Sequence, residues 1–270
     1  MDITNRTGVI TGAGTGIGRA LAVEFGRQQG NLLLVGRRTA PLEETADMVR
    51  SAGGTADVFA ADITEPGAVD RVAGAARARG PVDLLINNAG NVRAGRLEDL
   101  PEQDVLAMIS LNLTAPILLT RTLLPALKES AANRGSILLA ISSGIALTGL
   151  PFYTVYAATK SGIAHFSEAL RREVHGTGVH VATAYPGATD TDMMTSSTAG
   201  EDLGFGRRPV ADVVTEILAG IIAGDHEINT AATTRRKMQD LNKTDPLAVD
   251  ALLAPRLEAL ETAVRTHRSI

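Results

Sequence analysis

The 270-residue sequence predicts an α/β fold: a single doubly wound domain of about seven parallel strands with a C-terminal helical extension. Three observations carry that expectation. Short aliphatic or β-branched runs alternate with amphipathic segments along most of the chain, which is the pattern of βαβ units. Runs such as LLLV at 32–35 and LLI at 84–86 are continuously apolar, as strands covered on both faces must be. The first such run passes directly into a glycine-rich turn and then an amphipathic helix.

Taken in order, the expected strands are GVIT at 8–11, NLLLV at 31–35, ADVFA at 56–60, VDLLIN at 82–87, SILLAI at 136–141, VHVATA at 179–184 and HEIN at 226–229. Helices are expected between them at 17–29, 42–52, 68–78, 102–129, 155–175 and 211–223, so that each crossover has room to return to a parallel neighbour. No repeat or low-complexity linker interrupts the series, and residues 1–230 form one unit. Residues 231–245 (AATTRRKMQDLNKTD) are polar and read as a connector. Pro246 then opens an amphipathic helix, an arm that packs on the same domain or on a partner subunit and completes a 231–270 extension.

Composition removes several function classes. With 44% hydrophobic and 21% charged residues the chain is an ordinary globular one, and a net charge of −4 gives no reason to expect nucleic acid or an anionic membrane as partner. There are no cysteines, hence no disulfides, thiol catalysis or thiolate metal sites. The five histidines form no short-spaced pair of the kind metal ligands take, so no metal is expected. The N-terminal MDITNRTGVITGAG lacks a basic region followed by an apolar core and a cleavage site, which makes the cytoplasm the expected location. The apolar stretch from Leu106 is interrupted by Asn112, Pro116, Arg121 and Pro125, and reads as a buried helix instead of a membrane span.

The chemistry is written in a few short segments. In TGAGTGIG (Thr11 to Gly18), glycines at 12, 14, 16 and 18 let the backbone turn and bring its N–H groups to a pyrophosphate at a helix N-terminus. The spacing is T-G-x-x-x-G-x-G, not the commoner G-x-G-x-x-G. About twenty residues on, where an acid would bind an adenosine ribose, the chain reads VGRR. Gly36 stands at the acid's place, and Arg37 and Arg38 can pair with a 2′-phosphate, so NADP(H) is expected over NAD(H). Further along, Tyr156 and Lys160 stand four apart, neighbours on one face of a helix. An ammonium beside a phenol favours phenolate, so the tyrosine is expected to titrate low enough to exchange protons near neutrality.

TGAGTGIG, NNAG (Asn87 to Gly90), Asn112, the serines of ISS, YAATK and YPGATDT together resemble the successive motifs of the short-chain dehydrogenase/reductase family, over about residues 5–228. The resemblance implies a Rossmann-type domain and hydride transfer between nicotinamide and a carbonyl or secondary alcohol of a small molecule. It assigns Tyr156 as acid and base, Lys160 to the phenol and the nicotinamide ribose, and Ser143, thirteen residues before the tyrosine, to the substrate oxygen. Ser142 is then a neighbour on the cofactor side. Asn112 matches a residue whose main-chain carbonyl holds a water linked to the lysine. Pro116, four residues on, has no N–H for that carbonyl, so the helix is expected to kink there.

Cofactor contacts are likewise implied at Gly12, Thr15, Gly16, Ile17 and Gly18 in the turn, at Asp62 and Ile63 beside the adenine, and at Asn88, Ala89 and Gly90 over the adenosine ribose. Pro186, Gly187, Thr189 and Thr191 match the loop that holds the carboxamide side of nicotinamide. Leu147, Leu150, Phe152, Tyr153, Met193, Met194 and Phe205 are candidate walls of a mostly apolar substrate pocket, with residues 195–208 as a mobile lid. Arg93 beside NNAG reads as a solvated loop arginine. Family members are commonly homodimers or homotetramers joined through helices that here would be 102–129 and 155–175. The expected activity is reduction of a ketone or aldehyde; the competing class is a nucleotide-binding regulatory or structural module without turnover.

Overall fold

The computed structural model describes residues 1–269. Seven parallel strands form one sheet: β1 (Thr7–Thr11), β2 (Asn31–Gly36), β3 (Thr55–Ala60), β4 (Leu84–Asn87), β5 (Ser136–Ile141), β6 (Val179–Tyr185) and β7 (Glu227–Asn229). Their order is β3-β2-β1-β4-β5-β6-β7, so the winding reverses between β1 and β4. At such a reversal the loops leaving the strand ends splay apart and open a crevice.

Successive side chains on a strand point to opposite faces, and the sequence fills both. Ile10, Leu32 and Leu34 face one side, where α1 (Gly16–Arg27), α2 (Thr39–Ser51) and α7 (Val210–Ala223) bury Leu21, Phe25, Leu42, Val49, Val213 and Ile217. Val9, Leu33 and Val35 face the other, against Val72 of α3 (Ala68–Arg77) and Leu170 of α6 (Thr154–Glu173). This double burial is why the strands are continuously apolar.

The long apolar stretch is not one regular helix. α4 (Glu102–Ile109) runs into a π turn at Ser110–Thr114 and continues as α5 (Ala115–Arg134). The expected kink at Asn112 thus takes the form of a widened turn, which accommodates the missing N–H of Pro116 without cutting the helix. By length and composition residues 102–134 could cross a membrane. Here Leu119, Leu123 and Leu127 of that run are buried against the sheet.

Two expectations for the C-terminal part need correction. Residues 231–245 are not a connector: α8 (Thr233–Thr244) occupies them. No glycine or proline breaks the segment, and its buried side chain is the polar Gln239, so hydrophobic periodicity gave no signal. The single helix expected after Pro246 is split into α9 (Pro246–Leu253), a 3-10 turn at Ala254–Arg256 and α10 (Leu257–Val264), because Pro255 removes a helical donor. α10 buries Leu260, Ala263 and Val264 in a third apolar cluster with Val92, Leu150, Tyr153, Met194 and Phe205, beside the crevice.

Candidate active site

The turn after β1 is tightly determined. Gly12 and Gly16 adopt φ of +64° and +55°, conformations that favour glycine. A Cβ at Gly18 would sit 2.3 Å from the Gly12 carbonyl oxygen and 2.4 Å from Asn88 Nδ2, so this residue is the floor of the turn and not part of the crevice wall. The Asn88 amide donates to the carbonyls of Thr11 (2.9 Å) and Gly12 (3.1 Å), while Thr11 Oγ accepts from the N–H groups of Asn88 and Ala89, both at 3.0 Å. NNAG therefore fastens the β4 loop to the glycine turn.

A cavity of about 590 Å³ extends from this turn along the strand ends. Gly12, Thr15, Gly16 and Ile17 line one end, with Arg37, Arg38, Asp62 and Ile63. Asn88, Ala89, Gly90, Pro186, Gly187, Thr189 and Thr191 line its middle course. Both arginines are exposed and neither forms an ion pair among the described residues. Asp62 Oδ1 accepts from the backbone and hydroxyl of Thr64 at 2.9 and 2.7 Å, an Asx turn that aims the rest of the carboxylate outward.

Ser143, Tyr156 and Lys160 open into the same cavity. Ser143 follows β5 and caps a 3-10 turn, its Oγ accepting from Ile145 N–H at 3.3 Å, which leaves its proton for another acceptor. Ser142 is structural: its hydroxyl donates to the Lys160 carbonyl at 2.7 Å and ties α6 to the end of β5. Lys160 Nζ is buried and donates to the Ile141 carbonyl at 3.0 Å. An ammonium has three donors, so capacity remains to be filled from the cavity side. A Cβ at Gly90 would lie 3.3 Å from that nitrogen and 3.1 Å from Asn112 Oδ1, which explains a glycine there.

The electrostatics correct one expectation. Burial pushes the Tyr156 phenol up to about 12, with the Ser143 hydroxyl acting in the opposite direction, and lowers Lys160 to about 8. Lys160 Nζ lies 5.7 Å from the phenol ring centroid and spends a hydrogen bond on Ile141 instead of the phenol oxygen. In the protein alone the desolvation of a phenolate outweighs the Ser143 hydrogen bond.

Asn112 stands behind the site and not on the cavity wall. Its side chain accepts from Asn91 N–H (2.8 Å) and donates to the Asn91 carbonyl (2.9 Å) and Thr159 Oγ (3.2 Å), joining the β4 loop, the π turn and α6.

Of the candidate pocket walls, Leu150, Tyr153, Met193, Met194 and Phe205 line the cavity; Leu147 and Phe152 do not. Phe152 turns away because its backbone is at φ 69° and its ring lies under Arg96, 5.8 Å from the guanidinium carbon. Arg93 pairs with Asp104 at 3.6 Å. The 195–208 segment is packed down, with Ser197, Ala199 and Phe205 buried and Thr198 N–H bonded to the Ala263 carbonyl at 3.0 Å.

Four lining residues carried no local signal: Arg235 of α8 and His267, Arg268 and Ser269 of the tail. The tail pairs with the β4 loop through Ala94 N–H to His267 O and Ser269 N–H to Val92 O, both at 3.0 Å. His267 Nε2 donates to the Met193 carbonyl at 2.9 Å, so its Nδ1 must accept the Tyr153 hydroxyl, 2.7 Å away.

A dinucleotide fits these residues: a glycine cradle for its phosphates, a buried lysine with donors to spare, and a continuous trough between them. The family described as short chain dehydrogenase matches the chain over residues 6–202. A short chain dehydrogenase of Pseudocercospora fijiensis is 34% identical over 194 residues, which are 71% of this chain and 62% of that relative, less than two thirds of its length. A 3-ketoacyl-(acyl-carrier-protein) reductase from Brucella melitensis, solved with NADH, superposes with a TM-score of 0.78 at 25% identity, covering 86% of this chain and 99% of that one. A short-chain dehydrogenase from Sphingobium yanoikuyae, solved with NADPH, gives 0.77 at 25% identity over 90% and 95% of the two chains. With the glycine turn, the NNAG loop and the Ser143, Tyr156, Lys160 set on one trough, this chain belongs to the short-chain dehydrogenase family.

Proposed function

We propose that this protein is an NADP(H)-dependent oxidoreductase that reduces the carbonyl of a small, mostly apolar ketone or aldehyde. The observation that carries the reading is that Ser143, Tyr156 and Lys160 open into one cavity with the glycine turn and with Arg37 and Arg38. When bound, the dinucleotide supplies the hydride. The protein's own residues do the rest. The Ser143 hydroxyl donates to the carbonyl oxygen, and the Tyr156 phenol donates to the same oxygen and gives up its proton as negative charge develops there. Lys160 holds ribose hydroxyls with its unspent donors and stabilises the phenolate left after transfer. The Asn112 main-chain carbonyl, inside the π turn, is assigned to a water that returns the proton.

Arg37 and Arg38 are assigned to the 2′-phosphate, in keeping with the NADPH complex of the Sphingobium relative. Leu106, Ile109 and Leu118 are exposed on α4 and α5, and we assign that face to a homodimer or homotetramer contact. The test is consumption of NADPH and NADH over a panel of ketones and aldehydes, with Arg37→Ala and Arg38→Ala. Loss of either charged pair should weaken NADPH by about ten- to hundredfold and NADH far less. Equal losses would overturn the cofactor assignment, and binding without turnover across the panel would favour a nucleotide-sensing module.

A further inference from the structure

Two cations in the cavity wall, Arg235 and Arg268, are unused by the reaction described above. Arg235 lies on α8 and lines the cavity. On the same helix two cations have carboxylate partners: Arg236 meets Glu216 at 3.7 Å and Lys243 meets Asp240 at 3.1 Å. Arg235 has none among the described residues. Its guanidinium carbon sits 5.5 Å from the Phe205 ring centroid, and its one hydrogen-bond contact is Met238 Sδ at 3.9 Å. Burial in this apolar wall lowers its pKa to about 10, the mark of a guanidinium held without a counter-charge.

The position is fixed. Gln239, one turn along α8, donates to the Gly144 carbonyl at 3.1 Å and accepts from Asn229 Nδ2 at 2.8 Å, which clamps the helix beside the residue that follows Ser143. Tyr153 packs between Tyr156 and Phe205, with ring centroids 6.4 and 5.9 Å away, so two aromatic walls separate the proton donor from the cation. The other charged groups on the cavity divide by end. Asp62 belongs to the end walled by Arg37 and Arg38. Asp192 also lines the cavity, directly after Thr191, whose methyl carbon is 3.0 Å from a Cβ built at Gly16. Burial lowers the His267 pKa, and Arg268 adds a second positive charge on the tail side.

We propose that Arg235 selects a substrate that carries a carboxylate: an oxo acid whose carbonyl meets Ser143 and Tyr156 and whose acid group, an apolar spacer away, meets the guanidinium. The inference rests on the carbonyl-reductase reading and names its substrate class. With its face on Phe205, the guanidinium keeps its N–H edge for the bidentate geometry that a carboxylate matches. Against the apolar wall of Phe205 and Tyr153 that pair is stronger than in open water.

The test uses straight-chain methyl ketones ending in a carboxylate, from levulinate upward in single methylene steps, each against its methyl ester. Binding to the full chain saturated with NADP+ is read by calorimetry, and reduction by NADPH consumption. The acids should bind about ten- to hundredfold more tightly than their esters at the best spacer length. Arg235→Met should erase that ratio and Arg235→Lys should restore part of it. If Arg235→Met does not fold, Arg235→Lys and Arg235→Gln give the same ordering. Equal binding of acid and ester by the unaltered protein, no binding of any acid, or a ratio untouched by Arg235→Met would overturn the proposal. Reduction without acid preference sinks Arg235 and leaves the reductase; Arg235-dependent acid binding without reduction does the reverse.

Discussion

At the scale of single residues, Lys160 carries a large desolvation cost. Its ammonium is buried with one protein carbonyl as acceptor, and its pKa falls from the ordinary 10.5 to about 8. A lysine whose folded pKa is depressed binds its proton more weakly folded than unfolded. The penalty is therefore complete below about pH 8 and fades as pH rises from there toward 10.5, where the unfolded chain also loses its proton. Lys160→Met should raise the stability of the cofactor-free protein by roughly 2–4 kcal/mol at pH 7, an excess that shrinks through that window. Thermal unfolding across pH checks it; a constant difference, or a destabilised variant, would contradict it. That Tyr156 and Lys160 share one helix turn was legible from their four-residue spacing, whereas Ser143 was picked out only by the family resemblance. The phenol's high pKa was not, since four-residue spacing reports proximity and says nothing of desolvation.

Among the elements, the glycine turn leaves little room for change. Gly18→Ala would set a methyl group against the Gly12 carbonyl and the Asn88 amide, both already committed to holding the turn. The turn must shift to admit it. A destabilisation of about 1–3 kcal/mol is expected, with a larger proportional loss of NADPH affinity than of folding yield. Calorimetric titration of NADPH together with thermal unfolding reads both; an unchanged affinity would remove the turn from the phosphate site. The strands and crossover helices could be read from sequence because both faces of the sheet demand apolar residues. α8 could not, because what it buries is the Gln239 amide, a hydrogen bond to Gly144 that no hydropathy pattern records. Pro116 did announce the disturbance at Asn112, though whether a helix answers a missing donor with a kink or a π turn depends on its packing.

For the whole molecule, the reversal of strand order between β1 and β4 places the crevice, and α8 and the tail wall part of it. α8, α10 and the tail close the far end of the trough, pairing with the β4 loop across the full length of the chain, as in the contact of Val92 N–H with Ser269 Oγ at 3.0 Å. Such long-range pairing leaves no local trace, which is why Arg235 and His267 were invisible while the dinucleotide end was plain. The whole arrangement converges on one phenol. Tyr156→Phe deletes the proton and leaves the ring, the turn and the trough in place. NADPH should bind the variant within about threefold of the unaltered protein, while ketone reduction falls by roughly a hundredfold to ten-thousandfold. A variant that binds NADPH and reduces the ketone within about tenfold of the unaltered rate would show that the proton comes from elsewhere.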